Sequence, residues 1–318
     1  MVLRGLKEYV AEKKKQARRP IADLAAVVTV TDDGGSSGRL RREYRVLPPG
    51  DIRNCMVALS TDEHLLGELF QYRFTGRAGL AGHSFGNLFL TALTHVTGDF
   101  AEAVRLSAQV LAIRGRIFPS TAQNVTLEAE LEDGTMVAGE TNISKSQKPI
   151  RRVYLVPRRV RTVPGVLAAI READLILVGP GSLYTSIIPN LLVEEIVEVI
   201  AHSRATRVHI SNLMTQPGET QHYSVADHVR AIYAHTRKGL FDFAVINRKA
   251  VTRRLLARYR AEGAEPVEPS LEELDLMGLK YVTGDLVQEG EKIRHDQTKL
   301  TNLLLGEFVM GRRRRAVN

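Results

Sequence analysis

The stretch "AAVVTVTDDGGSSGRLRREY", residues 25–44, decides how the chain is read. Ala25 to Val30 carries no charge and is rich in β-branched side chains, so it reads as a short buried strand. The strand passes at once into two adjacent aspartates, three glycines, two serines and three arginines between Thr31 and Tyr44. That is more polar chemistry than a turn requires. The same arrangement recurs twice. Asp174 to Val178 reads as a strand and leads into "GPGSLYTS" (179–186), and Thr206 to Ile210 leads into "SNLMTQPGET" (211–220).

Helical patterns separate these strands. Helices are expected over Leu3–Gln16, from Ile52 with Asp51 as its N-cap, over Glu63–Phe74, after a polar turn at His83–Asn87, and over Phe100–Ile113. Further helices are expected over Val166–Glu172, Leu191–His202 and Asp227–His235, and a further strand over Phe241–Ile246. This alternation implies an α/β fold with a mostly parallel sheet and helices on both faces. Ligands of such sheets bind beyond the carboxyl ends of the strands, so the three polar loops are expected on one rim. Residues 120–160 break the rhythm. "NVTLEAELEDGTMVAGE" alternates, placing Val125, Leu127, Ala129 and Leu131 on one face, with a hairpin turn at Asp133-Gly134. A small β-rich insertion is expected there.

The chain has 318 residues, 44% of them hydrophobic, which is enough for a large core. A single domain over 1–318 is expected, with residues 307–318 as a disordered basic tail. No apolar run approaches the ~20 residues of a membrane span, and Met1 to Val10 has no signal-peptide core. The only cysteine, Cys55, excludes an internal disulfide framework and fits a cytoplasmic location. It lies in an apolar helical pattern and reads as a core residue. The net charge of +8 sits in separate clusters, among them Arg151-Arg152 and Arg312 to Arg315. None is interleaved with aromatic residues, which points away from nucleic acid.

Gly179 and Gly181 allow a backbone to approach an anion, and Ser182, Tyr184, Thr185 and Ser186 supply hydroxyls. Gly34, Gly35 and Gly38, with Ser36 and Ser37, do the same after the first strand. Asp32 and Asp33 beside such a site call for a cation between them and the phosphates, for which Mg²⁺ is suited, or for a sugar hydroxyl. His83 reads as a turn or core histidine and Asn87 as a hydrogen-bonding reader capping its helix. The Walker lysine motif, the zinc motif H-E-x-x-H, the nucleophile elbow and the nicotinamide fingerprint are all missing.

Seven motifs in order, "TVTDDGGSSGRLRREY", "LPPGDIRN", "GHSFGNLFL", "LAIRGRIFPST", "GPGSLYTSIIPNLL", "NLMTQPGET" and "RHDQTKL", resemble the gluconeogenesis factor (YvcK-like) family. That family is similar to the 2-phospho-L-lactate transferases, CofD, of coenzyme F420 synthesis. The resemblance runs from Leu3 to about Leu305. It implies a CofD-like, Rossmann-related fold and binding of a nucleotide sugar of the UDP-N-acetylglucosamine type, by proteins linked to cell shape, cell-wall metabolism and central carbon metabolism. The matched positions are Asp32, Asp33, Gly35, Ser36, Asn87, Gly179, Gly181, Ser182, Tyr184, Asn212 and Met214. Tyr259 and Arg294 align with positions near the nucleotide sugar, as a stacking ring and a diphosphate partner. The expected reading is a cytoplasmic nucleotide-sugar-binding regulator with diphosphate on the "GPGSLYTS" and "DDGGSSG" loops. Mg²⁺ at Asp32 and Asp33 is admitted and no covalent cofactor is expected. Partners would be cell-wall or carbon-metabolism regulatory proteins, and an oligomer is left open.

Two alternatives stand beside it. One is an Mg²⁺-dependent phospholactyl transferase with Asp32 and Asp33 as catalytic residues. The other is a nicotinamide-dependent oxidoreductase, disfavoured by the missing fingerprint. The sequence departs from the family in one respect. Members begin with a strand and a "GGGTG" loop just before "LRGLK", whereas here "VLRGLK" starts at Val2. The expectation is a start codon further upstream.

Overall fold

A computed structural model of the chain describes residues 2–15, 23–61, 65–77 and 79–310. Helix α1 (Val2–Lys15) is followed by strand β1 (Ala25–Val28) and by α2 (Gly35–Tyr44), α3 (Gly50–Leu59), α4 (Leu65–Gln71), α5 (Phe85–Thr97) and α6 (Phe100–Val110). Strand β2 (Arg116–Pro119) pairs in parallel with β1. The insertion contains β3 (Thr126–Leu131), β4 (Met136–Ala138), α7 (Glu140–Ser146) and β5 (Ile150–Val156). Its strands are antiparallel in the order β4-β3-β5.

After α8 (Pro164–Glu172) come β6 (Leu175–Val178), a π-helical turn (Leu183–Ile187), α9 (Ile188–Leu191), α10 (Glu194–His202), β7 (Thr206–Ile210), α11 (Val225–His235) and β8 (Phe243–Asn247). The chain continues through α12 (Arg253–Ala261), α13 (Leu271–Leu276), β9 (Lys280–Gly284), β10 (Val287–Gln288), β11 (Arg294–His295) and α14 (Gln297–Leu305). Strands β6-β7-β8-β9 form a parallel sheet in that order. The expected mixed architecture, with a parallel sheet flanked by helices, is present. Its parallel strands fall into two sheets, β1-β2 and β6 to β9; the antiparallel insertion makes a third and the antiparallel pair β10-β11 a fourth.

Local sequence explains most of these elements. In β3 alternate residues are buried, and Gly134 takes φ +81 in the turn to β4, where a side chain would be strained. Ser84 caps α5 by accepting the Asn87 N–H, and Gly98 ends the helix in the left-handed region. Ser224 and Asp227 make a capping box for α11. The two faces of the β6–β9 sheet have different covers. Val208, Ile210 and Val245 meet Leu300, Leu304 and Phe308 from the C-terminal helix, while Ala244 and Ile246 join the larger core.

Several expectations shift. Asp51 does not cap α3. Pro49 stands at the N-cap and Asp51 lies in the first turn. Nor does Asn87 cap α5, since Ser84 does. The expected helix Glu63–Phe74 ends early, at Gln71, because Arg73 turns back to bridge Ser84, and its expected start at Glu63 lies outside the described residues. The polar loop after β1 is only a few residues long, because α2 begins at Gly35, and the second half of "GPGSLYTS" is π-helical. Helix α7 inside the insertion was not foreseen. Cys55 is half-buried, and burial pushes its thiol up to about 12. Of the expected disordered tail, Gly306–Met310 forms a π-helical turn with Phe308 buried; residues 311–318, and the arginine run within them, lie outside the described residues.

Candidate functional site

The turn after β1 is built for close approach. Asp32 Oδ1 accepts the Gly34 N–H at 2.9 Å. A Cβ at Gly38 would stand 1.8 Å from the Asp33 carbonyl, so only glycine lets α2 leave the turn at this angle. Asp33 reaches away from the turn. Thr141 donates its N–H at 2.9 Å and its hydroxyl at 2.6 Å to Asp33 Oδ1, which ties the first turn of α7 to the β1–α2 connection. Asp33 is therefore engaged in holding the insertion in place.

Helices α2, α3 and α5 begin around one cavity of about 250 Å³. Its lining includes Asp32, Ser36, Asp51, Arg53, Arg73 and Asn87. Asn87 donates to the hydroxyls of Ser36 at 3.2 Å and Ser37 at 3.4 Å. His83 Nδ1 meets the Ser36 hydroxyl at 3.0 Å. Burial, then the charge of Arg39, holds the His83 imidazole below its ordinary value. Arg53 is buried, and the neighbouring Arg73 adds to the effect of burial in lowering its pKa. Gly50 leaves the cavity open, since a Cβ there would sit 2.5 Å from Ser37 Oγ and 2.7 Å from Asp32 Oδ2.

A group of carboxylates gathers beside this cavity. Burial and then Asp32 push Asp51 up to about 6. Glu140, at the start of α7, is pushed to about 8 by burial first, then by Asp32, Asp51, Asp33 and Glu219. Its Oε2 is buried with no hydrogen-bond partner among the described residues. Glu219 is raised by burial, against the Tyr184 N–H and the Thr185 and Ser144 hydroxyls. Among the described residues, no three His, Cys, Asp or Glu side chains stand close enough together to hold a metal ion. The carboxylate chemistry nevertheless suits Mg²⁺, which is commonly held by one or two carboxylates with retained waters. Asp32 fits that role better than Asp33, whose Oδ1 is occupied by Thr141.

The remaining predicted residues form a second set. Gly179, with φ +95, ends β6 so close to β7 that a Cβ would lie 2.7 Å from the Ile210 carbonyl. Asn212 clamps the turn. Its amide accepts the Gly181 N–H at 3.1 Å and donates to the Gly181 carbonyl at 2.8 Å. Gln216 donates to Ser182 Oγ at 2.8 Å. Met214 and Tyr259 share a small apolar cluster with Leu213, Leu255, Val287 and Ile293. The Tyr259 hydroxyl accepts the Ile293 N–H at 3.0 Å, one residue before exposed Arg294, and the guanidinium over the ring itself is that of Arg258, 5.6 Å from its centre.

Tyr184 belongs to neither set. It is buried, its hydroxyl meets that of Tyr223 at 2.8 Å, and its ring packs edge-on to His235. The carboxylate of Glu219 already faces the start of the π-helical turn, so the N–H donors expected to receive phosphate there are partly used by the protein. The structure thus collects Asp32, Gly35, Ser36 and Asn87 at one place and Gly179, Gly181, Ser182 and Asn212 at another, with Met214 and Tyr259 in an apolar cluster that the chain enters directly after Asn212 and Arg294 exposed just past Ile293 of that cluster. Sequence reasoning missed Asp51, Arg53, Arg73, Glu140 and Glu219. The polar run "GDIRN" at the head of an otherwise apolar helix was the one available signal for the first two.

A family model described as 2-phospho-L-lactate transferase CofD matches residues 1–287. The gluconeogenesis factor of Bacillus subtilis is 46% identical over 306 residues, covering 96% of this chain and 93% of that protein. A Nostoc sp. protein provisionally named as a gluconeogenesis factor is 48% identical over 96% of this chain, and the chain spans 65% of that relative's length. A crystal structure of a UPF0052-family protein from Bacillus halodurans superposes with a TM-score of 0.89 at 43% identity, covering 96% of this chain and 95% of that one. Among the described residues no helix is long and apolar enough to cross a membrane.

Proposed function

The chain belongs to the CofD family, and from that premise we propose that it is a gluconeogenesis-factor-type protein that binds a nucleotide sugar of the UDP-N-acetylglucosamine kind. The observation that carries this reading is the second set of residues. Met214 and Tyr259, 45 positions apart in the sequence, share one apolar cluster, with the backbone leading to exposed Arg294 bonded to the Tyr259 hydroxyl and Asn212 clamping the turn after β6. An aromatic ring over apolar side chains suits a pyrimidine base, and the exposed guanidinium of Arg294, one residue from the Ile293 N–H bonded to that ring's hydroxyl, suits a diphosphate. The sugar end would point toward Asp32, a hydroxyl acceptor or, with Mg²⁺, a bridge to the phosphates. Bound Mg²⁺ would offset the mutual repulsion of the carboxylates around Glu140.

The protein would act in the cytoplasm through partners that govern cell shape, the cell wall and central carbon metabolism. The test is calorimetric titration with UDP-N-acetylglucosamine, GTP and NAD. Tyr259→Ala and Arg294→Ala should each weaken UDP-sugar binding about tenfold or more, the scale of a lost stacking or charge-assisted contact. Unchanged affinity in both would remove this assignment.

A second reading, phospholactyl transfer, is favoured by one observation. Asp51 near 6 and Glu140 near 8 straddle neutral pH beside Asp32, as a proton-transfer site requires. Release of nucleotide monophosphate on mixing a nucleotide-linked phospholactate with a deazaflavin would favour that reading over pure binding.

A further inference from the structure

We propose that the outer faces of α4 and α5 form a self-association surface, on which a second copy of this chain docks about a two-fold axis. Three observations lead to it, and none depends on the nucleotide reading.

The first is a helix that is apolar on both sides. Helix α5 buries Gly86, Asn87, Leu90 and Thr91. At 3.6 residues per turn, Phe85, Phe89, Ala92 and Val96 make a second stripe on the opposite side. The two phenylalanines are half-buried, Ala92 is exposed and Val96 is 82% exposed. A solvent-facing stripe ordinarily carries polar side chains, and a helix that is apolar all round belongs in an interior. Helix α4 repeats the pattern. It buries Gly67 and Phe70 and leaves Leu65, Leu69 and, just past its end, Tyr72 at 69%, 40% and 51% exposure. Phe70 packs on Phe85 and Phe89 with ring centres 5.8 and 5.2 Å apart, so the two stripes are neighbours. Tyr44, half-exposed, stands edge-on to His95 of α5 at 6.1 Å and borders the surface on another side.

The second is charge. A quarter of the chain is charged, yet α4 and α5 hold one Asp, Glu, Lys or Arg between them, Glu68. Depletion of charge with large apolar side chains is the composition of a homodimer interface core. It also disfavours other occupants. An anionic membrane surface or an acidic peptide calls for lysines and arginines within the face, and these stripes have none. Residues 16–22 and 311–318, outside the described residues, carry two and four arginines in sequence and supply no apolar run to match the surface.

The third is shape and size. Ala92 lies between Phe89 and Val96 on the stripe. In an antiparallel pairing of two copies of α5 about Ala92, Phe89 of one faces Val96 of the other, and the small residue at the crossing leaves room for the rings. Such a pairing is self-complementary, as a two-fold contact requires. Helices of these lengths are ~10 and ~20 Å long and ~10 Å wide, a footprint of ~300 Å², and the exposed parts of the Tyr44 and Tyr72 rings add ~100 Å² each. An apolar patch of this size is at the upper end of what a soluble monomer carries. It is below the ~800 Å² that each partner of a standard interface buries. The dimer is therefore weak, with a Kd on the order of 10 μM.

The test is sedimentation velocity of the full chain, from well below to well above that Kd, on wild type, Val96→Glu, Leu65→Glu and Leu276→Glu. The last is a control, since Leu276 is an exposed leucine on α13. The expected result is a wild-type mass that rises from 35.3 kDa to a plateau at twice that value. Val96→Glu and Leu65→Glu should stay monomeric throughout, with unchanged melting at low concentration because both side chains already face solvent. Leu276→Glu should associate as wild type does. A wild type that is monomeric at every concentration overturns the proposal, including one that binds lipid vesicles or another protein instead. A dimer undiminished in Val96→Glu also overturns it, since association would then use another surface. So does a mass that climbs past the dimer without a plateau, or an equal loss in Leu276→Glu, either of which marks non-specific aggregation.

Discussion

Glu140→Gln should stabilise the ligand-free protein, and more so at high pH. Glu140 titrates near 8 in the fold, against an ordinary 4.5, chiefly because it is buried and then because Asp32, Asp51, Asp33 and Glu219 surround it. A folded-state pKa above the unfolded one means that the native state holds the proton more tightly. The associated stability is present at low pH and is lost as pH rises from about 4.5 through about 8. Each pKa unit corresponds to ~1.4 kcal/mol, so the full penalty is ~4–5 kcal/mol above pH 8 and ~3 kcal/mol at pH 7. Asp51 titrates in the same range, and its protonation lowers the field at Glu140. Halving the figure for that coupling leaves ~2 kcal/mol at pH 8 and well under ~1 kcal/mol at pH 5. Glutamine preserves the size, and the unpartnered Oε2 has no hydrogen bond to lose. Urea unfolding at pH 5, 7 and 8 reads the difference. A gain that does not depend on pH, or no gain at pH 8, would refute the reasoning. A carboxylate retained at such a cost is expected to serve the ligand, so the same variant should bind UDP-sugar more weakly.

Burial, with His228 nearby, holds His209 down to about 3. Its contribution to stability is therefore complete above the ordinary imidazole value and is lost as pH falls toward 3. His209→Gln should flatten the acid limb of a Tm-versus-pH curve, and an unaltered limb would count against the buried neutral imidazole. Asp32→Asn should weaken UDP-sugar binding only with Mg²⁺ present. Asp33→Asn, which still offers Thr141 an acceptor, should leave binding and stability nearly intact, whereas Asp33→Ala should cost ~2 kcal/mol in urea melts. Tyr184→Phe should leave UDP-sugar affinity unchanged while costing ~1 kcal/mol, because the Tyr223 hydroxyl loses its partner; a loss of affinity would return Tyr184 to the ligand.

Elements whose identity is set by neighbouring residues were legible in the sequence. The strand opening at Ala25, the hairpin at Asp133-Gly134 and β7 over Thr206–Ile210 fall where alternation and turn chemistry put them. Helix α7 escaped because "ETNISKS" has little helical bias and buries only Ile143; it is fixed from outside, by Asp33 at its first turn. The candidate site was half legible for the same reason. Glycine-rich turns announce themselves locally, so Asp32, Ser36 and the Gly179–Ser182 turn were found. Arg53, Glu140 and Glu219 are ordinary letters in ordinary contexts, and what sets them apart is burial among charges from distant segments. Tyr184 shows the converse. Its motif suggested a ligand contact, and packing turned its hydroxyl into the core.

The tie between Asp33 and Thr141 spans 108 residues, and this has a consequence for the order of assembly. Loop closure over such a separation is slow and is achieved only after the intervening segments have condensed. On a ribosome the β1–α2 turn emerges long before the helix that anchors it, and Arg53 and Asn87 emerge before the insertion that supplies Glu140. The carboxylates are therefore forced together late, by the docking of the insertion. A nascent chain stalled before Thr141 would carry every residue lining the small cavity and still lack the two hydrogen bonds that hold the turn beside it. Proteolytic sensitivity of the β1–α2 turn should persist until that point of synthesis and then disappear.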